Sequence, residues 1–316
     1  MLTLIRGLIN FPTDHILGCV ATIGNFDGVH LGHQTIIREL VNKSKTLGVP
    51  AVLITFEPQP HEFFSPPSLV PPRLMRLREK YRALQPLSLD YLLCLKFNQA
   101  FANLSPTTFI EQILVQRLKV KHLLVGDDFR FGHQRNGHIK TLENAGEKLG
   151  FTIAQLPEFK IGDHRVSSTK IRSALKVGDL KTAKILLGKD YQMSGQVSDG
   201  HKRGRMIGFP TANIYLHRKS VPLSGVYAVN ISGIHSDISR VWHGVANIGT
   251  RPTVDGTTCL LEIHFFDFDQ DIYGQHIQVS FIQKLRDEKK YDSWEALRQQ
   301  ILKDANEARN FFSGSV

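Results

Sequence analysis

Two groups of residues in this chain have the types and spacing to handle phosphate. The first is His30 and His33, three positions apart around Gly32 in the string GNFDGVHLGHQ (Gly24 to Gln34). Two imidazoles at one corner donate hydrogen bonds to oxygens that gain charge during an in-line displacement at phosphorus. Catalysis of that kind comes from positioning and charge stabilisation, with no covalent step. The second is GHKRGRMIGFPTAN (Gly200 to Asn213), where Gly200, Gly204 and Gly208 punctuate a loop bearing His201, Lys202, Arg203 and Arg205. A flexible basic loop of this composition closes over the phosphates of ATP. Thr211 and Asn213 follow, offering a hydroxyl and an amide oxygen of the kind Mg²⁺ accepts while keeping several waters. Each group suits a nucleoside triphosphate, and together they point to two consecutive reactions.

The elements that would position the first group are legible around it. CVATIG reads as a buried strand, and the apolar spacing of Gln34 to Leu47 predicts a helix, so the histidines fall on a strand-to-helix turn. Such a turn presents unpaired N–H groups and the positive end of the helix dipole, while Gly24, Gly28 and Gly32 let the backbone approach a phosphate. The plainer reading is a glycine-rich loop with surface histidines or half of a metal site, although no nearby Cys or acidic cluster completes a metal shell. A partner lies at VSSTKIRSAL, where Ser167, Ser168 and Thr169 cap a predicted helix. Lys170 and Arg172 in its first turn oppose the helix dipole and so ask for an anion, such as the β- and γ-phosphates of ATP leaving as pyrophosphate. An ordinary capped helix with solvated cations is the competing reading.

Between these elements the chain alternates AVLITF, a helix near Leu74 to Leu84, DYLLCL, a helix near Pro106 to Arg117, and HLLVG. That alternation predicts a parallel sheet covered by helices, with a ligand at the carboxyl ends of the strands. ITFEPQP and VGDDFRFG stand at two such ends. In the latter, Asp127, Asp128, Phe129 and Phe131 combine acceptors with aromatic faces, which suits an aromatic heterocycle or, more plainly, a turn with core phenylalanines.

After Leu187 the pattern changes to six short β-rich runs, YQMSGQVS, FPTANIYL, GVYAVNIS, VWHGVANIG, CLLEIHFFDF and HIQVSFI, which predict a small antiparallel barrel. Ser293 to Phe311 then reads as a helix packed on its outside. Within CLLEIHFFDF, strict alternation places Glu262 on the face of His264, opposite Leu261 and Ile263. Glu262 is a candidate general base for an alcohol nucleophile, or a solvent-facing strand residue.

Carried by GNFDGVHLGHQ, TFEPQP, VGDDFRFG and VSSTKIR in order, the first half resembles the nucleotidyltransferases with H-x-G-H and S-S-T-x-I-R signatures. It is most similar to the FAD synthetase module of the bacterial bifunctional riboflavin kinase/FMN adenylyltransferases. The resemblance implies that FMN phosphate attacks the α-phosphorus of ATP, giving FAD and pyrophosphate. It assigns ATP to Gly24, Asn25, Phe26, Asp27, Gly28, His30, His33, Ser167, Ser168, Thr169 and Arg172, and flavin to Phe56, Asp128 and Phe131. One departure is Gln59, where the family commonly has His. The second half, with GxVxxGxxxGRxxGxPTAN, GVYA, NIGTRPT, LEIH and KLRDEKKY, resembles the riboflavin kinase module of the same family. That implies ATP at Gly200, Lys202, Gly204, Arg205 and Gly208, Mg²⁺ at Thr211 and Asn213, deprotonation of the ribityl 5′-hydroxyl by Glu262, and flavin or product held by Arg286.

Composition accommodates this reading. The chain has 316 residues, 41% of them hydrophobic, enough for two cored domains divided as 1–187 and 188–316. The expected fold is α/β plus β: a Rossmann-like parallel sheet with helices, then a six-stranded antiparallel barrel and a carboxy-terminal helix. Cys19, Cys94 and Cys259 are isolated and odd in number, and no run approaches a membrane span, so a soluble cytoplasmic protein is expected. The formal charge of +10 admits nucleic acid as a partner. PPRLMRLREKYR, read as an amphipathic helix with a solvated cationic face, interleaves no aromatic residues to stack bases. A nucleic-acid binder and a chain with only one active module are the alternatives to two active modules; no nucleic-acid or membrane partner is expected.

Overall fold

Strands β2 (Cys19–Ile23) and β3 (Ala51–Glu57) are apolar along nearly their whole length and buried on both faces, as the interior strands of a parallel sheet must be. In the computed structural model, which describes residues 1–199, 209–253 and 256–314, the chain forms two units. The first comprises Met1–Val70 and Arg76–Ser167, the second Pro71–Met75 and Ser168–Val316.

The first unit holds a six-stranded parallel sheet. Besides β2 and β3 it contains β1 (Thr3–Arg6), β4 (Tyr91–Lys96), β5 (Val120–Gly126) and β6 (Thr152–Leu156), in the order β1-β4-β3-β2-β5-β6. From β2 the chain runs through helix α1 (Leu31–Leu47) to β3 on one side, and β5 lies on the other side of β2. The carboxyl ends of β2 and β5 therefore meet at a topological switch point, where open α/β sheets bind ligands. Strands β1 and β6 are short edges that the sequence pattern did not announce. The segment expected to be one helix from Pro106 to Arg117 has a single α-turn, Pro106–Thr108, and widens to π geometry over Phe109–Arg117, closed by Leu118 N donating to the Ile113 carbonyl.

The stretch from Pro71 to Arg82 departs from expectation. Its helix covers only Leu77–Leu84, with the Arg76 N–H capped by the Glu79 carboxylate at 2.7 Å. The backbone before it belongs to the second unit and is held in non-helical form there: the Arg73 carbonyl accepts from Arg218 at 2.8 Å and the Leu74 carbonyl from the Tyr191 hydroxyl at 3.0 Å. Nor is the cationic face wholly solvated, since Lys80 is 1% exposed.

In the second unit six strands close a barrel, as the six β-rich runs predict. They are β9 (Tyr191–Ser198), β10 (Ala212–Tyr215), β11 (Gly225–Ser232), β12 (Trp242–Thr253), β13 (Gly256–Phe265) and β14 (His276–Arg286), in the order β10-β13-β12-β11-β14-β9. A small antiparallel hairpin of the first unit, β7 (Lys160–Ile161) and β8 (His164–Arg165), precedes them in the chain. Met193, Ile214, Val229, Ala246, Ile248, Leu261, Ile263, Val279 and Phe281 fill the barrel, and their sequence neighbours face outward. The helix Trp294–Ser313, capped by Ser293, lies on the outer face, where Ala305 and Ala308 pack with Ala228 and Phe266.

Candidate active sites

The His30–His33 corner is built by the start of α1. His30 is the N-cap: its backbone is extended, and its Nδ1 accepts the His33 backbone N–H at 3.2 Å. A neutral His30 thus carries its proton on Nε2. His33 stands one turn in, and the two rings stack with centroids 3.5 Å apart and planes 13° off parallel. Helix α1 starts three residues before the apolar pattern does, because an imidazole does the capping that the sequence reading left to the loop. The loop before it is strained. Phe26, Gly28 and Val29 all have positive φ, 45°, 91° and 43°, a region where a β-branched residue is a true outlier. Such strain concentrates where a ligand is clamped. Of the three glycines expected to admit a phosphate, Gly28 carries the left-handed turn, while Gly32 is close-packed: a Cβ there would press within 3.4 Å of the His30 ring.

Burial pushes the pKa of His33 well below 6.5, and the charges of His30 and Lys80 push it further the same way. His33 is therefore a neutral imidazole at pH 7. Its Nδ1 is buried without a hydrogen-bond partner.

Next to this corner lies a cavity of about 830 Å³, lined by Gly24, Asn25, Phe26 and His33 on one side and by Asp128, Phe129 and Phe131 on the other. Its wall is a chain of ring contacts. Phe56 meets Phe101 at 5.4 Å, Phe101 meets Phe109 at 6.1 Å, Phe109 meets Phe131 at 5.3 Å, and Phe131 stacks with Phe129 at 5.6 Å. The sequence reading found Phe56 and Phe131 but missed Phe97, Phe101 and Phe109, which stand after β4 and on the π-type helix. Asp128 is at the rim, exposed, with its carboxylate 3.9 Å from the Arg165 guanidinium. Gln59, buried at 1% exposure, leaves both amide atoms without a partner.

Of the S-S-T-x-I-R residues, Ser167 closes the first unit, whereas Ser168, Thr169 and Arg172 belong to the second, on the helix Ser168–Val177. Arg172 Nε donates to the Pro72 carbonyl at 2.7 Å.

On the barrel, register does what sequence alternation only suggested. Glu262 of β13 is the cross-strand partner of Asn213 on β10 and of Asn247 on β12, so the carboxylate lies between two amides on the outer face. The Asn247 Oδ1 is buried and has no hydrogen-bond partner. Next along this face, His264 Nδ1 lies 3.0 Å from the Pro210 carbonyl, an acceptor, so the proton is on Nδ1. Through that bond β13 holds the backbone just ahead of β10, which follows Thr211 and carries Asn213. Gly200, Lys202, Gly204, Arg205 and Gly208 lie outside the described residues. Arg286 is committed to the carboxy-terminal helix: Nε and Nη2 donate to the buried Asp304 carboxylate at 2.9 and 2.7 Å, and Nη1 to the Asp287 carbonyl. Among the described residues, no three His, Cys, Asp or Glu gather as a metal cluster.

Two family models match the chain, FAD synthetase over residues 13–170 and riboflavin kinase over residues 187–312. A bifunctional riboflavin kinase/FMN adenylyltransferase from Haemophilus influenzae is 47% identical over 311 residues, covering 98% of this chain and 99% of that protein. One of the same description from Escherichia coli is 46% identical over 309 residues, covering 98% and 97%. This chain belongs to the bifunctional riboflavin kinase/FMN adenylyltransferase family. A solved structure described as a macrolide-efflux protein from Streptococcus pneumoniae superposes with a TM-score of 0.80 at 30% identity, covering 98% of this chain and 99% of that one. Among the described residues, no helix is long and apolar enough to cross a membrane.

Within a riboflavin kinase/FMN adenylyltransferase, the stacked histidines and the aromatic cavity fall inside the FAD synthetase match, and the Asn213–Glu262–Asn247 row falls inside the riboflavin kinase match. Besides the three phenylalanines of the cavity wall, two residues beside these sites escaped the sequence reading. Lys80 was hidden in a basic run, and Asn247 has no signal short of strand register.

Proposed function

We propose that residues 1–187 and 188–316 divide the two activities of this family, the first transferring adenylyl from ATP to FMN and the second phosphorylating riboflavin. The observation that carries this reading is the adjacency, inside the first unit, of the His30–His33 stack and an aromatic cavity of about 830 Å³. A planar isoalloxazine fits among Phe56, Phe129 and Phe131, and the α1 N-terminus beside it fits a phosphate. An oxygen of the FMN phosphate attacks the α-phosphorus of ATP, the new P–O bond forms, and the bond to the leaving pyrophosphate breaks. His30, with its proton on Nε2, and neutral His33 donate to the oxygens gaining charge. Gly24, Asn25, Phe26, Asp27 and Gly28 supply the loop against the triphosphate, while Ser167, Ser168, Thr169 and Arg172 supply the pyrophosphate side. Asp128 serves the flavin from the rim.

For the kinase reaction, Glu262 takes the proton of the ribityl 5′-hydroxyl as that oxygen attacks the γ-phosphorus, and ADP leaves. Its place between the amides of Asn213 and Asn247 supports this role. The donor set suits Mg²⁺. Asn213 is a buried oxygen donor in register with a carboxylate, and the hydroxyl of Thr211 lies two residues before it, whereas a dedicated carboxylate cage is absent among the described residues. Thr211 and Asn213 would hold the ion, which when bound neutralises charge on the transferring phosphoryl group. Gly200, Lys202, Gly204, Arg205 and Gly208 would cover the ATP phosphates, and Arg286, oriented by Asp304, would face the flavin. We assign the protein to the cytoplasm, in keeping with three buried free cysteines.

Single substitutions test the division. Glu262→Ala should abolish riboflavin phosphorylation and leave FAD formation from supplied FMN intact. Loss of both reactions in folded protein would contradict two separate sites.

A further inference from the structure

Lys80 is among the most deeply buried large side chains of the chain, at 1% exposure. An ammonium in such a place is costly to desolvate and is retained only where partners compensate it. Its Nζ donates to the Thr55 hydroxyl at 3.2 Å. Thr55, on β3, has no exposed surface, and its hydroxyl in turn donates to the Asn25 carbonyl at 3.4 Å. Because Lys80 occupies the hydroxyl as donor, the single Thr55 proton is directed to Asn25. The relay thus runs from a helix outside the nucleotide corner, across the sheet, to the residue preceding the left-handed turn at Phe26.

We propose that Lys80 is a positioning residue for adenylyl transfer. Its buried ammonium fixes the Gly24–Gly28 loop through Thr55 and Asn25, and it supplies a fixed positive charge beside His33 for an anionic substrate. This inference rests on the adenylyl-transfer reading of the first unit. Electrostatics agrees with this geometry: the charge of Lys80 lowers the His33 pKa, after burial and the charge of His30. The groups that bear on His33 are thus His30 from the cap of α1 and Lys80 from the Leu77–Leu84 helix, with Asp27 the buried carboxylate of the intervening loop. The positive charge that adds to burial in keeping a proton off His33 also favours a triphosphate at the α1 N-terminus.

The test uses the full chain and three substitutions, Lys80→Met, Lys80→Arg and Thr55→Val. Three things are measured: FAD formation from FMN and ATP across pH, riboflavin phosphorylation, and titration of the His33 imidazole by NMR without substrate. For Lys80→Met we expect FAD formation to fall about 100-fold in kcat/KM, the scale of a small misplacement at a reacting centre, with phosphorylation unchanged. His33 should titrate at higher pH than in the parent, because a repelling cation has gone, and the acid limb of the FAD-forming profile should move up with it. Lys80→Arg should keep the parent titration. Thr55→Val, which cuts the relay and keeps the charge, should slow FAD formation and leave the titration in place. A Lys80→Met protein whose FAD formation stays within about twofold of the parent, or whose His33 titration does not move, overturns the proposal. Should Lys80→Met fail to fold, the proposal is overturned if Lys80→Arg shifts the titration or Thr55→Val leaves FAD formation at the parent rate. A parent chain that makes no FAD would overturn the underlying reading, an outcome distinct from any of these.

Discussion

At the scale of single residues, protonation and orphaned polar atoms decide the behaviour. His33 is held neutral by burial first and by neighbouring positive charge second. His122 is also depressed, by burial and then by Lys43. In the unfolded chain both would bind a proton near pH 6.5, so the unfolded state takes up protons that the folded state refuses. Their contribution to stability is whole above about pH 6.5 and drains away as pH falls below it. Thermal unfolding between pH 7.5 and 5 should show Tm falling with pH, and His33→Gln should flatten that slope. A second prediction concerns Asn247, whose buried Oδ1 lacks a partner beside Glu262. An unsatisfied acceptor costs about 1–3 kcal/mol. Asn247→Val should therefore raise the denaturation midpoint of the barrel while slowing riboflavin phosphorylation and leaving FAD formation from FMN alone. A variant that is both less stable and fully active in phosphorylation would count against a site role. Both residues illustrate the limit of sequence reading. His33 was visible from its spacing to His30, but its neutrality comes from burial that only the fold creates, with a smaller share from Lys80, which lies in a run of arginines that looks solvated. Asn247 becomes meaningful only when β12 and β13 are set in register.

At the scale of elements, the outer face of the barrel depends on one helix. Arg286 binds the Asp304 carboxylate through two nitrogens, and Gln300 donates to the same carboxylate at 2.8 Å. Removing one partner of a buried ion pair leaves an uncompensated charge, so Asp304→Ala should destabilise the second unit by about 3 kcal/mol in denaturant titrations. If Arg286 faces the flavin, the same substitution should weaken riboflavin binding through lost orientation. Elements were legible where periodicity was strong. The six barrel strands alternate, β2 to β5 are apolar runs, and Ser293 caps the final helix as its sequence position suggests. They were illegible where tertiary contacts overrule local pattern. Arg73 and Leu74 belong to a helix by spacing, yet their carbonyls are held by Arg218 and Tyr191 from residues more than a hundred positions away. Four-residue β1 and five-residue β6 are too short for a period to register.

At the scale of the whole molecule, the central claim is that one chain carries two consecutive reactions, with FMN the product of the second unit and the substrate of the first. Family membership across 98% of the chain and the two separate constellations of residues bear on it together. On the proposed assignment, sites for ATP and flavin phosphates use part of the +10 charge that admitted nucleic acid, and Lys80, the cation that the basic run concealed, bears on His33 at one of them. The most direct measurement is a time course: purified full-length protein with riboflavin, ATP and Mg²⁺, the flavins separated by chromatography. FMN should appear first and FAD after it, and His33→Ala should stop the sequence at FMN. FMN accumulating without FAD in the parent protein, or a His33→Ala protein that still makes FAD at the parent rate, would contradict the account.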